Sequence, residues 1–334
     1  MESKMRVEIV AHGLSPNSKK LLMSIGALVA LFTTFAILRG NLFLAQTNLI
    51  NIVHQVVTYA LIGYGLTYCL VSGSTDLSAG AALAVSGVAV VLFMQRGLPM
   101  VVAIGLALLI GIVMGLCNGF SVMILGVMPF IATLGTQWVF RGVANVIVGG
   151  QPVYMNEVAD AATREWFYVF GGGRIHPSFP IPYSVLIALA YGGILFVILA
   201  KTSIGRKIYA CGSNMEAARL SGINVKRVRI FAYCVSGFSA AIAGILMSSR
   251  ISSGQPQAGF GYEMEAIAAS VLGGVAISGG EGGIHNTIVG ALIMGVLRNG
   301  LNLCGVNMFW QMVVIGVIIV MACALEAARH RKYS

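Results

Sequence analysis

Residues 97–140 read GLPMVVAIGLALLIGIVMGLCNGFSVMILGVMPFIATLGTQWVF, a stretch of 44 residues without one aspartate, glutamate, lysine or arginine. A helix that crosses a bilayer needs ~20 mostly apolar residues, so this stretch is long enough for two crossings. Gly126 and Pro129 mark the break between them, because proline cannot continue the interior of a helix. The stretch therefore predicts two transmembrane helices joined by a short turn.

The rest of the chain has the same apolar character. Of its 334 residues, 57% are hydrophobic and only 10% are charged, whereas soluble domains carry roughly 25% charged residues. A chain this poor in charge cannot present a hydrated surface on all sides, so its outer surface must face lipid. The 42 glycines fit a membrane bundle, in which small residues let helix backbones approach closely.

We expect an all-α integral membrane protein of about ten transmembrane helices, in a single transmembrane domain over residues 21–326. The N-terminal tail is then 1–20 and the C-terminal tail 327–334. The apolar run at 21–38 is too long for the core of an ordinary signal peptide, so we interpret it as an uncleaved first span. The predicted spans are 21–38, 48–71, 77–95, 100–124, 129–148, 181–200, 229–249, 263–279, 286–304 and 308–325.

The lysines and arginines predict the orientation, because basic residues collect on the cytoplasmic side of a membrane. With a cytoplasmic N-terminus and ten spans, 14 of the 21 basic residues lie in the two tails and one inner loop. Both termini of this multi-pass protein are therefore predicted to be cytoplasmic. The same bias explains the formal net charge of +10. No basic cluster with aromatic platforms indicates nucleic-acid binding.

Two loops between the predicted spans are long. The outer loop, 149–180, is either a hydrated connector or includes a short surface helix over 156–167. The inner loop, 201–228, is polar, and at its centre Asn214 fits an N-cap, Glu216 the first turn and Gly222 a C-terminal stop. We expect a short, rigid helix on the cytoplasmic face that could transmit force to a partner protein.

Two predicted spans carry polar side chains on one helical face, four residues at the spacing i, i+3, i+4 and i+7 on the first span and three at i, i+3 and i+4 on the second. These faces are too polar for lipid and should point inward. They either line a path for a polyol such as a sugar or form hydrogen bonds between helices. A lone histidine of this kind is more typical of a buried structural residue. The candidate path residues on the two faces are Asn51, His54, Gln55, Thr58, Thr133, Thr136 and Gln137.

Asp76 is a further candidate, in the glycine- and serine-rich break 72–80 between two spans. Such a break persists at membrane depth only where protein or a water-filled cavity covers it. A carboxylate just before a helix is typical of an N-cap, and roles in cargo passage or ATPase contact stay open. A second glycine-rich break, SGGEGG at 278–283, is not a phosphate loop because no lysine with serine or threonine follows.

The sequence contains no recognisable catalytic or metal-binding motif. Its six cysteines include no CxxC pair, and the chain has no motif with which to hydrolyse ATP. We therefore predict a protein that is not an enzyme and holds no cofactor of its own.

Four blocks of the sequence resemble the ribose-type permeases of bacterial ABC importers, the branched-chain amino acid/ribose/xylose/arabinose family. They occur in the family's order across most of the chain, which makes the resemblance specific. The blocks are GSTDLSAG at 73–80, PFIATLGT at 129–136 with RG at 141–142, YACGSNMEAARLSG at 209–222, and SVLGGV at 270–275 followed by GGEGG at 279–283.

The resemblance implies a fold similar to that of the vitamin B12 importer's permease, in the inner membrane of a bacterium. It implies a second permease copy (identical or paralogous), a cytoplasmic ABC ATPase that binds ATP and magnesium, and a periplasmic sugar-binding protein. It also implies that the 209–222 block docks on the ATPase. The residues that would carry this coupling are Gly212, Asn214, Glu216, Ala217, Ala218, Arg219 and Gly222.

On these grounds we predict the permease subunit of an ABC importer for a monosaccharide such as a ribose-like pentose. A nucleoside or branched-chain amino acid cargo is one alternative. An ion-coupled secondary transporter is another, but that class usually needs an ion site at mid-membrane depth, and Asp76 is predicted near the cytoplasmic end of its span. The chain departs from the family's pattern around Asp76 and at 282–285, which bears on cargo identity.

Overall fold

The computed structural model describes residues 16–158, 160–176 and 179–330, and these ranges are predominantly helical. Thirteen α-helices follow one another in them. They are α1 (Pro16–Leu44), α2 (Gln46–Val71), α3 (Ala79–Gln95), α4 (Met100–Met123), α5 (Pro129–Val148), α6 (Ala161–Gly172), α7 (Tyr183–Lys201), α8 (Ser203–Ser213), α9 (Met215–Leu220), α10 (Val225–Ile251), α11 (Tyr262–Gly273), α12 (Ile284–Leu303) and α13 (Met308–His330).

Each of the ten predicted spans overlaps one of these helices, which confirms the all-α membrane fold. By length and hydropathy alone, five helices of the described chain can cross a membrane: α1 from Lys20 onward, α2, α4, α7 and α10. Helix α3 and the stretch Met308–Met321 of α13 are shorter apolar helices. The prediction for 263–279 is wrong in extent, because α11 has 12 residues and ends where Gly274 takes a φ of 106°.

The two long loops contain short elements of their own. In the outer loop, α6 begins later than the predicted 156–167, because Asp160 caps it by accepting hydrogen bonds from the backbone of Ala162 and Thr163. Hydrogen bonds from Thr163 above all hold the pKa of Asp160 below its usual range. The inner loop holds α9 as expected, and also α8, which the sequence did not predict.

Four short strands pair outside the helices. Strand β1 (Val153–Tyr154), just after α5, pairs antiparallel with β4 (Ser253–Gly254), just after α10. Strands β2 (Arg174–His176) and β3 (Phe179–Pro182) form a hairpin ahead of α7. The first pair places the ends of α5 and α10 on the same side of the bundle.

Helix α10 lies at the centre of the bundle, against α2, α3 and α4. Its contacts with α4 are backbone against backbone: a Cβ added at Gly111 of α4 would lie 2.6 Å from the carbonyl oxygen of Gly237. On its other side, a Cβ added at Gly244 would overlap the carbonyl oxygen of Leu83 in α3. These glycines are present because only they allow spans to approach this closely.

Large apolar side chains cover the outside of the bundle. Ile37 of α1, Val101 of α4 and Val146 of α5 are 79%, 76% and 82% exposed. A soluble surface would not present so many contiguous apolar side chains. This outer layer is the surface that the sequence assigned to lipid.

We expect that valine at Gly290 destabilises the fold. A Cβ at this position of α12 would overlap the carbonyl oxygen of Ala269 in α11, and overpacking of this kind costs about 1–3 kcal/mol. Thermal unfolding of the detergent-purified protein should show a lower midpoint. Valine at Gly193 of α7, where nothing lies within 4 Å of the added Cβ, is the matched control. Equal midpoints for the two variants would contradict the close packing of α11 on α12.

Candidate functional site

The helix breaks on one side of the bundle meet around Gly212, near the end of α8. A Cβ at Gly212 would overlap the carbonyl oxygen of Val71 and lie 2.6 Å from the amide nitrogen of Gly280. The Gly280 amide donates to that same Val71 carbonyl at 2.9 Å. Backbone contacts thus join three segments: the end of α2, the end of α8 and the turn 274–283.

Helix α10 holds the turn between α2 and α3. The Arg229 side chain donates through Nε to the carbonyl of Ser72 at 3.2 Å and through Nη2 to the carbonyl of Gly73 at 3.1 Å. The hydroxyl of Tyr233 lies 2.6 Å from the hydroxyl of Ser74. These side chains supply the partners that a non-helical turn cannot find within itself.

Asp76 lies in the same turn, is 1% exposed, and accepts hydrogen bonds on both oxygens. Oδ1 accepts from the backbone amide and hydroxyl of Ser78 at 2.9 and 2.7 Å and from Asn118 Nδ2 at 3.2 Å. Oδ2 accepts from the Ser236 hydroxyl at 2.7 Å. The Asn118 amide oxygen accepts from Thr136 at 2.5 Å. One carboxylate therefore links the start of α3 with α4, α10 and, through Asn118, α5.

The N-cap interpretation of Asp76 describes only part of this arrangement. Helix α3 begins after Ser78, whose side chain makes no capping hydrogen bond. Asp76 accepts the Ser78 amide and so shapes the turn that leads into α3. Its other bonds reach α4 and α10 directly and α5 through Asn118, so we describe it as a buried junction.

The predicted polar residues of α5 split between two neighbours. Thr133 is buried and donates to the carbonyl of Pro129 in its own helix at 2.8 Å. Thr136 joins the Asp76 junction through Asn118, and Gln137 Nε2 donates to Glu263 Oε1 of α11 at 2.9 Å. The polar face of α5 is therefore occupied by contacts with α4 and α11.

The polar face of α2 lies elsewhere. His54 and Thr58 line a narrow cleft together with Gly171 of α6, Ser184 of α7 and Arg250 of α10. No residue of α5 lines this cleft.

The two remaining polar residues of the α2 face differ in their surroundings. Asn51 is exposed, and Gln55 is half-buried with no partner for its amide oxygen. The two predicted polar faces therefore do not line one cavity in this structure.

The short helix α9 has the predicted local structure. The Asn214 side chain accepts from the Ala217 amide at 2.9 Å as an N-cap, and Gly222 takes a φ of +79° just beyond the helix. Ala218 is buried on the inner face of the helix, whereas Ala217 is exposed. Glu216 and Arg219 face solvent 3.6 Å apart, and Leu220 is 87% exposed. Gly212 is not part of this exposed surface, because it is packed against Val71.

Four charged residues inside the predicted spans form contacts that the sequence analysis missed. Arg298 of α12 forms an ion pair with Glu265 of α11 and donates to the hydroxyl of Tyr59 at 3.2 Å. Arg141 of α5 donates to the carbonyls of Pro256 and Ala258, and Glu263 of α11 accepts from Gln137, which lies one turn before Arg141 in α5. A charge at mid-membrane costs ~2.5–3.5 kcal/mol on insertion scales. A charged residue inside an otherwise apolar span therefore predicts a polar partner, and this signal was present in the sequence.

Comparisons with known proteins agree on one class. The family model described as "Branched-chain amino acid transport system / permease component" matches residues 48–323. The ribose import permease protein of Bacillus subtilis (strain 168) is 42% identical, covering 85% of this chain and 86% of the relative. That of Escherichia coli (strain K12) is 39% identical, covering 92% and 95%. The xylose transport system permease protein of the same strain is 29% identical, covering 96% and 95%. No solved structure matches the chain.

Alanine at Asp76 should destabilise the protein strongly. It leaves buried donors from Ser78, Asn118 and Ser236 without their acceptor, and each unsatisfied buried group costs about 1–3 kcal/mol. The measurement is the midpoint of thermal unfolding. Ser86→Ala is the matched control, because the Ser86 hydroxyl is buried without a partner and its removal should be nearly neutral. A midpoint for Asp76→Ala as high as that of Ser86→Ala would contradict the junction.

Proposed function

The chain belongs to the family of branched-chain amino acid transport system permease components, and from this premise we propose that it imports a monosaccharide as the membrane subunit of an ATP-driven transporter. The observation that carries the proposal is the identity with the Escherichia coli ribose import permease protein over 92% of this chain. So long an alignment includes the helix breaks and α9 as well as the apolar spans. The chain is a transport subunit and not an enzyme.

The cargo class follows from the relatives. Relatives that are 42% and 39% identical are named for the import of ribose, and others are named for the transport of D-allose and xylose. All three are monosaccharides that differ in carbon number or in the arrangement of their hydroxyl groups. The family model is described by branched-chain amino acids, so an amino acid is the cargo against which the proposal has to be tested.

Helix α9 is the proposed contact with a cytoplasmic ABC ATPase, which would bind the ATP and magnesium. It is capped at both ends, and its exposed side presents Met215 and Leu220 beside the Glu216–Arg219 pair. An apolar anchor bordered by charges is typical of the centre of a protein interface. Gly212 would act beneath this surface, where its close contact with Val71 and Gly280 carries a displacement of α8 into the bundle.

The orientation with both termini in the cytoplasm belongs to the same proposal. Lys20 of α1 forms an ion pair at 2.7 Å with Glu281 in the turn 274–283. That turn contacts α8, so the start of α1, the turn and the α8–α9 segment share one side of the bundle. This side also carries the basic residues of the 201–228 loop, which supports a cytoplasmic assignment.

Two further partners complete the proposed transporter. A second permease copy, identical or paralogous, would cover part of the apolar outer surface, and the central path would run between the copies. A periplasmic sugar-binding protein would deliver the cargo to the outer side, where the 149–180 loop lies. ATP binding would move α9, and the Asp76 junction would pass that movement from the turn 72–78 to α5.

Uptake of labelled sugar tests the function. The chain, purified together with a partner ABC ATPase and reconstituted with a sugar-loaded binding protein outside the vesicles, should import ribose, xylose or allose into proteoliposomes only when ATP is enclosed in the lumen with the ATPase. Uptake should persist with an ionophore, because no ion gradient drives it. Transport of leucine but no sugar would contradict the cargo, and uptake abolished by the ionophore would contradict the ATP-driven class.

Substitutions in α9 and at its C-terminal stop should lower transport by weakening the contact with the ATPase. Glu216→Arg reverses a charge on the proposed interface, and Gly222→Pro cannot adopt the positive φ of that position. Both should lower sugar uptake at least tenfold and reduce co-purification of the ATPase, while the chain remains in the membrane.

The matched control for these variants is Glu165→Arg, the same charge reversal on an exposed residue of α6 in the outer loop. It should co-purify with the ATPase as well as the unaltered chain does. Normal uptake by both α9 variants would overturn the assignment of α9.

A further inference from the structure

Residues 252–261, between α10 and α11, run beside α3 within the bundle. A Cβ added at Gly254 would lie 2.8 Å from the carbonyl oxygen of Gly87, and one added at Gly259 would lie 2.9 Å from that of Gly80. Since an α-helix rises about 1.5 Å per residue, the segment descends about 10 Å along α3 between these contacts. Non-helical backbone occurs at membrane depth only where it is buried in protein or lines a cavity.

Helix α11 consequently begins inside the bundle. Its N-cap is Gly261, and its first turn carries Glu263 and Glu265. A half-helix that begins within a membrane points its positive dipole end at the interior, an arrangement that transporters use at cargo sites. Glu265 is already paired with Arg298. Within the described residues, no cation lies within 4.0 Å of the Glu263 carboxylate.

Glu263 and Arg141 keep unused hydrogen-bonding capacity although they are only 3% and 6% exposed. Glu263 Oε1 accepts from Gln137, and Oε2 has no partner. Arg141 Nη1 donates to the carbonyls of Pro256 and Ala258 at 2.9 and 2.6 Å, and its Nε and Nη2 have none. Buried charges without a full set of partners are costly. A ligand that forms the missing hydrogen bonds would therefore stabilise this cluster.

The surroundings of the cluster suit a small polyol. The Arg141 guanidinium lies over the ring of Phe260, 5.9 Å from its centroid. Gly80 borders the Glu263 carboxylate, where any Cβ would overlap Oε2. Gln137 is half-buried and forms the edge through which the cluster could open. A carboxylate, an amide and a guanidinium together offer acceptors and donors, as the hydroxyl groups of a sugar require.

We propose that Glu263, Arg141 and Gln137 form a contact site for the hydroxyl groups of the transported monosaccharide at mid-membrane depth. The proposal rests on the function proposed above and deepens it. In the conformation described here the site is closed, and the Gln137 amide is hydrogen-bonded to Glu263 Oε1. During passage, sugar hydroxyls donate to Glu263 Oε2 and accept from Nε and Nη2 of Arg141.

The buried Asp76 carboxylate does not offer the same capacity. Both oxygens of Asp76 are used by Ser78, Asn118 and Ser236. The Glu263 site makes few contacts, so it would hold a sugar weakly enough to release it, as conduction through a path requires.

Discrimination among sugars tests the site. The assembled transporter is reconstituted in proteoliposomes, and maximal uptake rates are measured for ribose and its single-deoxy analogues at saturating loaded binding protein. The unaltered protein should transport at least one analogue several-fold more slowly than ribose. Glu263→Gln and Arg141→Lys should reduce the ratio of the ribose uptake rate to the analogue uptake rate to nearly one. Gly80→Ala, which displaces the carboxylate without changing its charge, should do the same.

The benchmark for a purely structural effect is Asn299→Ala, which breaks the buried amide pair between Asn48 and Asn299 away from α5. It should lower uptake of every sugar by one common factor. If the three site variants behave like Asn299→Ala, the cluster holds only water and the proposal is overturned. If the unaltered protein transports amino acids and no sugar, the proposed function fails first, and the two failures are thereby distinguished.

Discussion

Inside a bilayer, every backbone amide and carbonyl must find its partner within the protein, and this constraint explains most of what the structure does between its helices. Among the residues that the structure describes, three non-helical segments lie within the bundle: 72–78, 252–261 and 274–283. The first two breaks are bonded by an arginine from a distant helix, and the third begins beside a side chain of the helix that follows it. Arg229 serves the first, Arg141 the second, and Asn286, which donates to the Gly273 carbonyl at 2.7 Å, the third.

The helices were predictable because their signals are local. Long apolar runs with glycine or proline at their ends predicted ten spans, and one helix overlaps each of them. The N-cap at Asn214 and the stop at Gly222 could likewise be predicted, since both depend on residues a few positions apart. The extent of α11 could not, because residues 263–279 stay free of charge after Glu265, and hydropathy does not register the positive φ at Gly274.

The candidate site was predicted less completely, because its contacts join residues far apart in the chain. Asp76 bonds to Ser236, 160 positions away, and Gln137 bonds to Glu263, 126 positions away. Helical periodicity predicted which side chains share a face, but it carries no information about which face meets which. The faces of α2 and α5 were therefore grouped as one path, whereas the structure gives them different neighbours.

The glycine contacts of α10 have a mechanical consequence. Where backbone touches backbone at Gly111, Gly237 and Gly244, no flexible side chain lies between the helices to absorb a displacement. Helices α3, α4 and α10 should therefore translate as a single stiff block. Helix α5 is joined to that block partly through side-chain amides and hydroxyls, which can exchange one partner for another, so compliance is concentrated at this boundary.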